Sequence, residues 1–468
     1  MKRLCLILGL LFQSIWAQNF PEGLLLHHAP DTGEIMHHLR FLASDSCAGR
    51  ASHADGARVA ARYIQKVWAS QGLKTGFQPF SLADRLPPKA SIFLVAGSDT
   101  LFTGITSLGG FPTGSYFIPE IVHVGRGLDT LNLRDFSKRV KGKLVLFDGV
   151  FEAISNVEKE WMAYPELRLR AAKKHGAVAA FFLGVPPAFQ SVLSGLDRKA
   201  KLRFRDDFNA NSIPYALIQP EVLDWVKKHK KGFYLHVKQD LPEGENVWAM
   251  LPGTDLAHEF VVMSAHYDHL GVRNGKTYYG ADDNGSGTAA LLTISRVFSQ
   301  LAKEGLGPRR SLLFIAFSGE EMGLLGSEYF VKQPTIPLSQ IVLNLNIDMI
   351  GRNDEAHHVQ ESYLYLIGSD RISQGVHRLS DSLLQEVGFT ADYHYNDPEH
   401  PMRLYERSDH YSFCQKGIPA IFYFSGLHAD YHTPNDTWDK IQAKRLKVNT
   451  HIILQSAWFF ANRHRTDW

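Results

Sequence analysis

The chain has 468 residues, 44% of them hydrophobic and 21% charged, ordinary values for a soluble globular protein with room for two or three domains. Its formal charge is +2. Without the two basic residues of the leader described next, 48 basic side chains face 48 acidic ones, a balance that gives no footing to a nucleic-acid partner.

The opening residues, MKRLCLILGLLFQSIWAQ, have the pattern of an export signal. Lys2 and Arg3 precede an apolar run, and Ala17 is a suitable small residue for cleavage. Residues 1–17 are therefore read as a signal peptide and the mature chain as exported, periplasmic or secreted. The run is too short to span a bilayer, and no later segment is long enough, so no membrane span is expected. Cys47 and Cys414 remain after the leader; two cysteines so far apart do not make a disulfide framework.

Residues 35–72 read as helical, because Val59, Ala60, Tyr63, Ile64, Val67 and Trp68 recur at helix spacing and Gly72 makes a stop. Between 88 and 245 the texture changes to short β-like runs (SIFLVAG, GKLVLFDG, AVAAFFLG, FYLHV) around one helix at 165–176. That stretch reads as a separate module inserted between 18–87 and 246–468, which together form the second domain. From 246 the pattern becomes strand, loop, helix, repeated. The runs 260–265, 311–317, 341–347 and 418–424 are continuously apolar, as strands covered on both faces are. The expected fold is α/β, a three-layer sandwich around a mixed, largely parallel sheet.

Each of those strands runs into a polar group. His266, Tyr267 and Asp268 follow the first, Glu320 and Glu321 the second, Asp348 the third, and His428 and His432 the fourth. A fifth group, 280-GADDNGSG-287, precedes a helix. Singly, each has an ordinary structural use, as a turn residue, a helix cap or a solvated loop. Together they stand where open α/β sheets bind ligands, at the carboxyl ends of strands. Histidines mixed with carboxylates suit Zn²⁺, with Mn²⁺ or Co²⁺ as substitutes, better than Ca²⁺. The calcium-loop alternative beginning at Asp282 fails, because its twelfth position is Thr293. A single catalytic zinc takes three protein ligands. Five candidate groups fit two ions, which lower the pKa of a bridging water, with a further carboxylate to move the proton. Spacing alone does not say which residue fills which role.

In order, the strings SAHYDHLG, GADDNGSG, FSGEEMGLLGS, NIDMIGR, RSDHYSF and HADYHTPNDT resemble the co-catalytic two-zinc aminopeptidases of the family 28 metallopeptidases. That family includes bacterial leucyl aminopeptidases and, more distantly, glutamate carboxypeptidases. The early string 41-FLASDSCAGR-50 resembles its opening segment. The resemblance implies a zinc-peptidase fold of the phosphorylase/hydrolase-like type and an exopeptidase that cleaves N-terminal peptide bonds with a metal-activated bridging water. It implies His266 and Asp348 on one zinc, Glu321 and His432 on the other, and Asp283 as the bridge, with Asp282 and His428 outside the ligand set. Glu320 matches the general base, Asp268 the residue that orients His266, and Tyr405 a tyrosine that hydrogen-bonds the tetrahedral oxyanion. Carboxypeptidase or dipeptidase action on the same site is the alternative, for which Arg352, Arg403 and Arg407 are available to hold a substrate carboxylate. Glutaminyl cyclases and non-catalytic receptor ectodomains on this fold lack the complete ligand set that is filled here. The 88–245 module resembles a protease-associated domain, through 141-KGKLVLFDG-149, 171-AAKKHGAVAAFFLG-184 and 212-SIPYALI-218.

Overall fold

The computed structural model describes residues 28–468 except 84–88, 103–104, 110–112, 130–135, 137–139, 150–154, 157–158, 160–164, 185–212, 230–231, 241, 359–361 and 466–467. The expected signal peptide lies outside the described residues. The chain divides into two compact units, one of residues up to Arg85 and from Glu243 onward, the other Leu86–Pro242.

The first unit is built on an eight-stranded sheet. Its strands are β1 (Lys74–Ser81), β2 (Glu243–Leu251), β3 (Leu256–His266), β4 (Arg310–Phe317), β5 (Ile341–Ile347), β6 (Tyr363–Ile367), β7 (Thr390–Asp392) and β8 (Ala420–Phe424). Their spatial order is β1-β2-β4-β3-β5-β8-β6-β7. The four central strands β4, β3, β5 and β8 run parallel, and they are the four continuous apolar runs of the sequence. Antiparallel pairs occur at β1/β2, β2/β4 and β8/β6. The sheet is therefore mixed and largely parallel at its centre.

Alternate residues of the central strands feed two separate cores. On one face Val261, Met263, Leu312, Phe314, Leu343 and Leu345 meet helices α1 (Thr32–Leu42), α2 (Asp55–Ser70), α3 (Gly287–Lys303) and the C-terminal helix Ala443–Asn462. On the other, Val262, Leu313 and Ile315 meet Phe330 and Val331 of the helix Leu325–Lys332 and Phe413 of the helix His410–Cys414. That is helix, sheet, helix. Among the described residues no helix is long and apolar enough to cross a membrane.

The helical expectation for 35–72 is corrected in one respect. α1 and α2 are separate, joined by a turn through Asp45–Arg50 in which Ala48 and Gly49 take positive φ. The break is forced by contact: a Cβ at Gly49 would sit 2.4 Å from the Tyr278 carbonyl oxygen. The turn delivers Arg50 to a fully buried position, where its guanidinium donates to the carbonyls of Leu42, Tyr267, Tyr279 and Gly280. Cys47 and Cys414 are both buried and not bonded to each other.

The second unit is β-rich. A four-stranded sheet (Asp99–Leu101, Lys89–Ala96, Phe233–Asp240, Gly114–Ile118) and a five-stranded sheet (Ile105–Gly109, Tyr215–Ile218, Ala179–Leu183, Leu144–Asp148, Ile121–His123) share one core. Ile92, Leu94, Leu235 and Val237 of the first pack with Leu144, Leu146, Phe181 and Ala216 of the second.

Candidate active site

The polar groups that follow the strands converge beyond the carboxyl ends of β3, β4, β5 and β8. His266 is the last residue of β3, and Asp348 is the first after β5. Asp283 comes from the turn that opens α3, with Gly280 at its start. Gly280 has φ +55°, and a Cβ there would lie 2.2 Å from the Asp283 carbonyl oxygen and 2.4 Å from the His269 ring. Only glycine allows that approach.

Asp283 stands between two groups. Its Oδ1 is 3.4 Å from His266 Nε2, and the same nitrogen is 3.4 Å from Asp348 Oδ1. Its Oδ2 is 2.9 Å from His432 Nε2, which is 3.3 Å from Glu321 Oε2. The Glu320 carboxylate lies apart, 4.0 Å from His266 Nε2. The adjacent glutamates thus face different partners, Glu320 toward His266 and Glu321 toward the His432 side.

A third imidazole joins that side. His269 Nδ1 is 2.8 Å from Glu321 Oε1 and 3.7 Å from Asp283 Oδ2. Sequence reasoning missed it; the signal was present in SAHYDHLG, three residues after His266. His266, Asp283 and Asp348 form one set of three potential ligands, and His269, Asp283 and Glu321 a second.

The supports explain why these side chains hold their places. Asp348 Oδ2 accepts from Ser408 Oγ at 2.7 Å, and Ser408 Oγ accepts from Asn346 Nδ2 at 2.8 Å. Ser264 Oγ donates to Asn346 and accepts from Asn344, so a buried polar chain runs across the parallel strands to Asp348. Asp436 accepts from the backbone N–H groups of Asp282 and Asp283 and so fixes the turn. Asp282 faces away, accepting from Gly351 N at 2.7 Å and lying 3.3 Å from His428 Nε2. Asp268 adjoins His266, but the closer acceptor for His266 Nδ1 is the Asp268 main-chain carbonyl at 3.1 Å, its carboxylate being 3.7 Å away. That carboxylate accepts from Ser52 Oγ and the Glu320 N–H.

Electrostatics separates the glutamates. Burial drives the Glu320 carboxyl well above its ordinary range; His266 opposes this, and the like charges of Glu321 and Asp348 add to it. Burial and Asp283 push Glu321 upward too, but the adjacent imidazoles of His269 and His432 outweigh them and hold it below its usual value. Asp283 is held well below its usual value by His266 and His432 in spite of burial. Against the lowering effect of burial, Asp283 and Glu321 raise His432 to about 10.

The donor set fits a metal. His266 Nε2, His269 Nδ1, Asp283 Oδ2, Glu321 Oε1 and Asp348 Oδ1 are buried polar atoms without hydrogen-bond partners, and all converge here. Buried polar atoms are normally satisfied, so such a concentration of acceptors aimed at common points is what ligands to a cation leave when described without it. Imidazole with carboxylate suits zinc.

A pocket opens on this cluster, lined by Asp283, Glu320, Asp348, Met349, Leu404, Arg407, Phe422, Phe424, Leu427 and Tyr431. Tyr405, expected to serve an oxyanion, is not brought to it. Its ring packs against Gly368 and His410, Arg371 stacks on it 4.8 Å away, and Cys414 is among its neighbours. The residue three before the Ser408-Asp409-His410 string lies on a turn that carries its side chain into this packing. The pocket's phenol is Tyr431, whose ring stacks on His432 at 3.9 Å.

Residues 246–457 match the model of Peptidase family M28. They form an M28 peptidase domain. Aminopeptidase YwaD of Bacillus subtilis is 25% identical over 417 residues, 87% of this chain and 79% of that protein. A probable glutamate carboxypeptidase, AMP1 of Arabidopsis thaliana, is 29% identical over 222 residues, 46% of this chain and 29% of that protein. Among solved structures, BSAP, a zinc aminopeptidase from Bacillus subtilis, has the same fold, with a TM-score of 0.51 at 20% identity over 94% of this chain and 97% of that one. The M28 domain makes this chain a hydrolase, and all the clustered groups lie within it.

Proposed function

We propose that this protein is an exported zinc aminopeptidase that removes residues from the N-terminus of peptides. The observation that carries the reading is the shared carboxylate of Asp283, with one oxygen facing His266 and the other His432. Two ions fit that arrangement. His266 and Asp348 would hold one, Glu321 and His432 the other, Asp283 both, with His269 steadying Glu321. Zinc so held supplies Lewis acidity toward a scissile carbonyl and lowers the pKa of water.

The chain's own groups do the rest. Glu320 lines the pocket without joining either ligand set, and its basicity is raised by burial. It takes the proton from the attacking water and hands it to the departing amine. The Ser408 chain behind Asp348 and the Asp436 hold on the Asp283 turn keep the ligands at fixed separation. Met349, Leu404, Phe422, Phe424 and Leu427 offer an apolar wall for a substrate side chain. Export rests on the leader sequence, and the reading of residues 88–245 as a protease-associated-like module rests on their sequence strings.

Zinc titration tests the reading. Protein stripped by a chelator should lose hydrolysis of leucine 4-nitroanilide and regain it as zinc is added, reaching a plateau at two equivalents. Full activity in the stripped protein would overturn the proposal.

A further inference from the structure

The sequence offers three arginines near the site, and the structure sorts them. Arg352 Nη1 is 2.9 Å from Asp430, and Arg403 is 2.6 Å from Glu406, so both are spent on ion pairs. Arg407 differs. It lines the pocket, and among the described residues its hydrogen bond is to a neutral group, the Tyr431 hydroxyl at 3.1 Å from Nη2. No carboxylate of the described residues lies within ion-pair distance of it, although Asp283, Glu320 and Asp348 line the same pocket.

Arg407 is solvent-exposed at the wall of the pocket, so its guanidinium is open to a ligand that enters there. Guanidinium presents a planar fork that binds carboxylate through two charge-assisted hydrogen bonds. Tyr431 strengthens the site, since its oxygen accepts from Arg407 and its own proton stays available to donate. Its ring is held by stacking on His432, so the pair is tied to the cluster that the substrate must reach. The opposite wall is apolar, through Phe422, Phe424 and Leu427.

On the reading of the site as a zinc aminopeptidase, we propose that Arg407, assisted by Tyr431, is a specificity residue that binds a substrate carboxylate beside the scissile bond. The preferred substrates are then short peptides with an apolar first residue and a nearby carboxylate. That carboxylate is either the free C-terminus of a dipeptide or an acidic side chain.

Two substrate pairs distinguish the sources: Leu-Gly against Leu-Gly-amide, and Leu-Glu-amide against Leu-Gln-amide. With zinc-loaded wild type, kcat/KM should favour the acid over its neutral partner by about tenfold in at least one pair, the scale of one charge-assisted contact. The responding pair identifies the source. Arg407→Met should bring that ratio close to one, whereas Arg407→Lys should keep part of it. Because the ratio is taken within each variant, a general loss of activity cancels. Equal rates on acid and neutral partners in the wild type, or a preference that survives in Arg407→Met, overturn this proposal and leave the peptidase reading standing. A zinc-loaded wild type that cleaves none of the four overturns both.

Discussion

Replacing Glu320 by glutamine is the sharpest perturbation of the chemistry. The side chain keeps its shape and its neighbours but can no longer accept a proton. In the structure Glu320 lines the pocket, its carboxylate 4.0 Å from His266 Nε2, and it belongs to neither three-residue ligand set. A general base contributes about 10²- to 10⁴-fold to rate, so kcat should fall by that factor, roughly 3–5 kcal/mol of barrier. KM should change little, because the apolar wall and the ligands are untouched. The assay pairs steady-state kinetics on leucine 4-nitroanilide with metal analysis of the purified variant. Glu320→Gln should keep its zinc, whereas Glu321→Gln should lose part of it, since Glu321 faces His269 and His432. A Glu320→Gln enzyme within about tenfold of wild type, or one that has lost zinc while Glu321→Gln has not, would refute the division of roles.

Two further outcomes concern stability. Arg50 is fully buried and donates to four carbonyls, so Arg50→Met should cost about 3–5 kcal/mol and lower Tm by on the order of 10 °C in thermal unfolding; an unchanged Tm would contradict the account of the turn. His38, buried and bonded to the Tyr63 hydroxyl, has its pKa lowered to about 4, first by burial and then by His37 and Arg296. The unfolded chain takes up that proton below about 6.5 while the folded chain refuses it until about 4, so stability is full above 6.5 and is lost as pH falls between the two values. The loss should be about 3 kcal/mol, and Tm profiles against pH should show a shallower slope for His38→Leu; identical slopes would contradict it.

Much of the fold was legible because the central strands are buried on both faces. The runs 260–265, 311–317, 341–347 and 418–424 are mostly apolar, with Asn344 and Asn346 the main polar interruptions, and all four became parallel neighbours. The outer strands β1 and β2 were not legible, since each mixes exposed and buried positions and gains its identity only from pairing. The break in the first helical stretch was hidden because it depends on Gly49 fitting against Tyr278, a contact across more than two hundred residues. Within the site, His266, Asp283, Glu321 and Asp348 stand near a strand end or helix start, which marked the cluster, but the role of each came from the resemblance and not from position. His269 escaped because it sits one residue beyond the His266-Tyr267-Asp268 string and acts on Glu321 across the pocket. Tyr405 is turned from the pocket because a loop tyrosine's direction is set by packing, here against Arg371 and Cys414, and not by its spacing from a motif.

The central claim is release of single residues from a free N-terminus by a zinc-loaded site. It is tested most directly by incubating the zinc-loaded protein with one peptide in three forms, free, N-acetylated and C-amidated, and following the products by mass spectrometry. The account predicts stepwise loss of N-terminal residues from the free and amidated forms and an untouched acetylated form. Cleavage of the acetylated peptide, or loss of residues from the C-terminus, would contradict it.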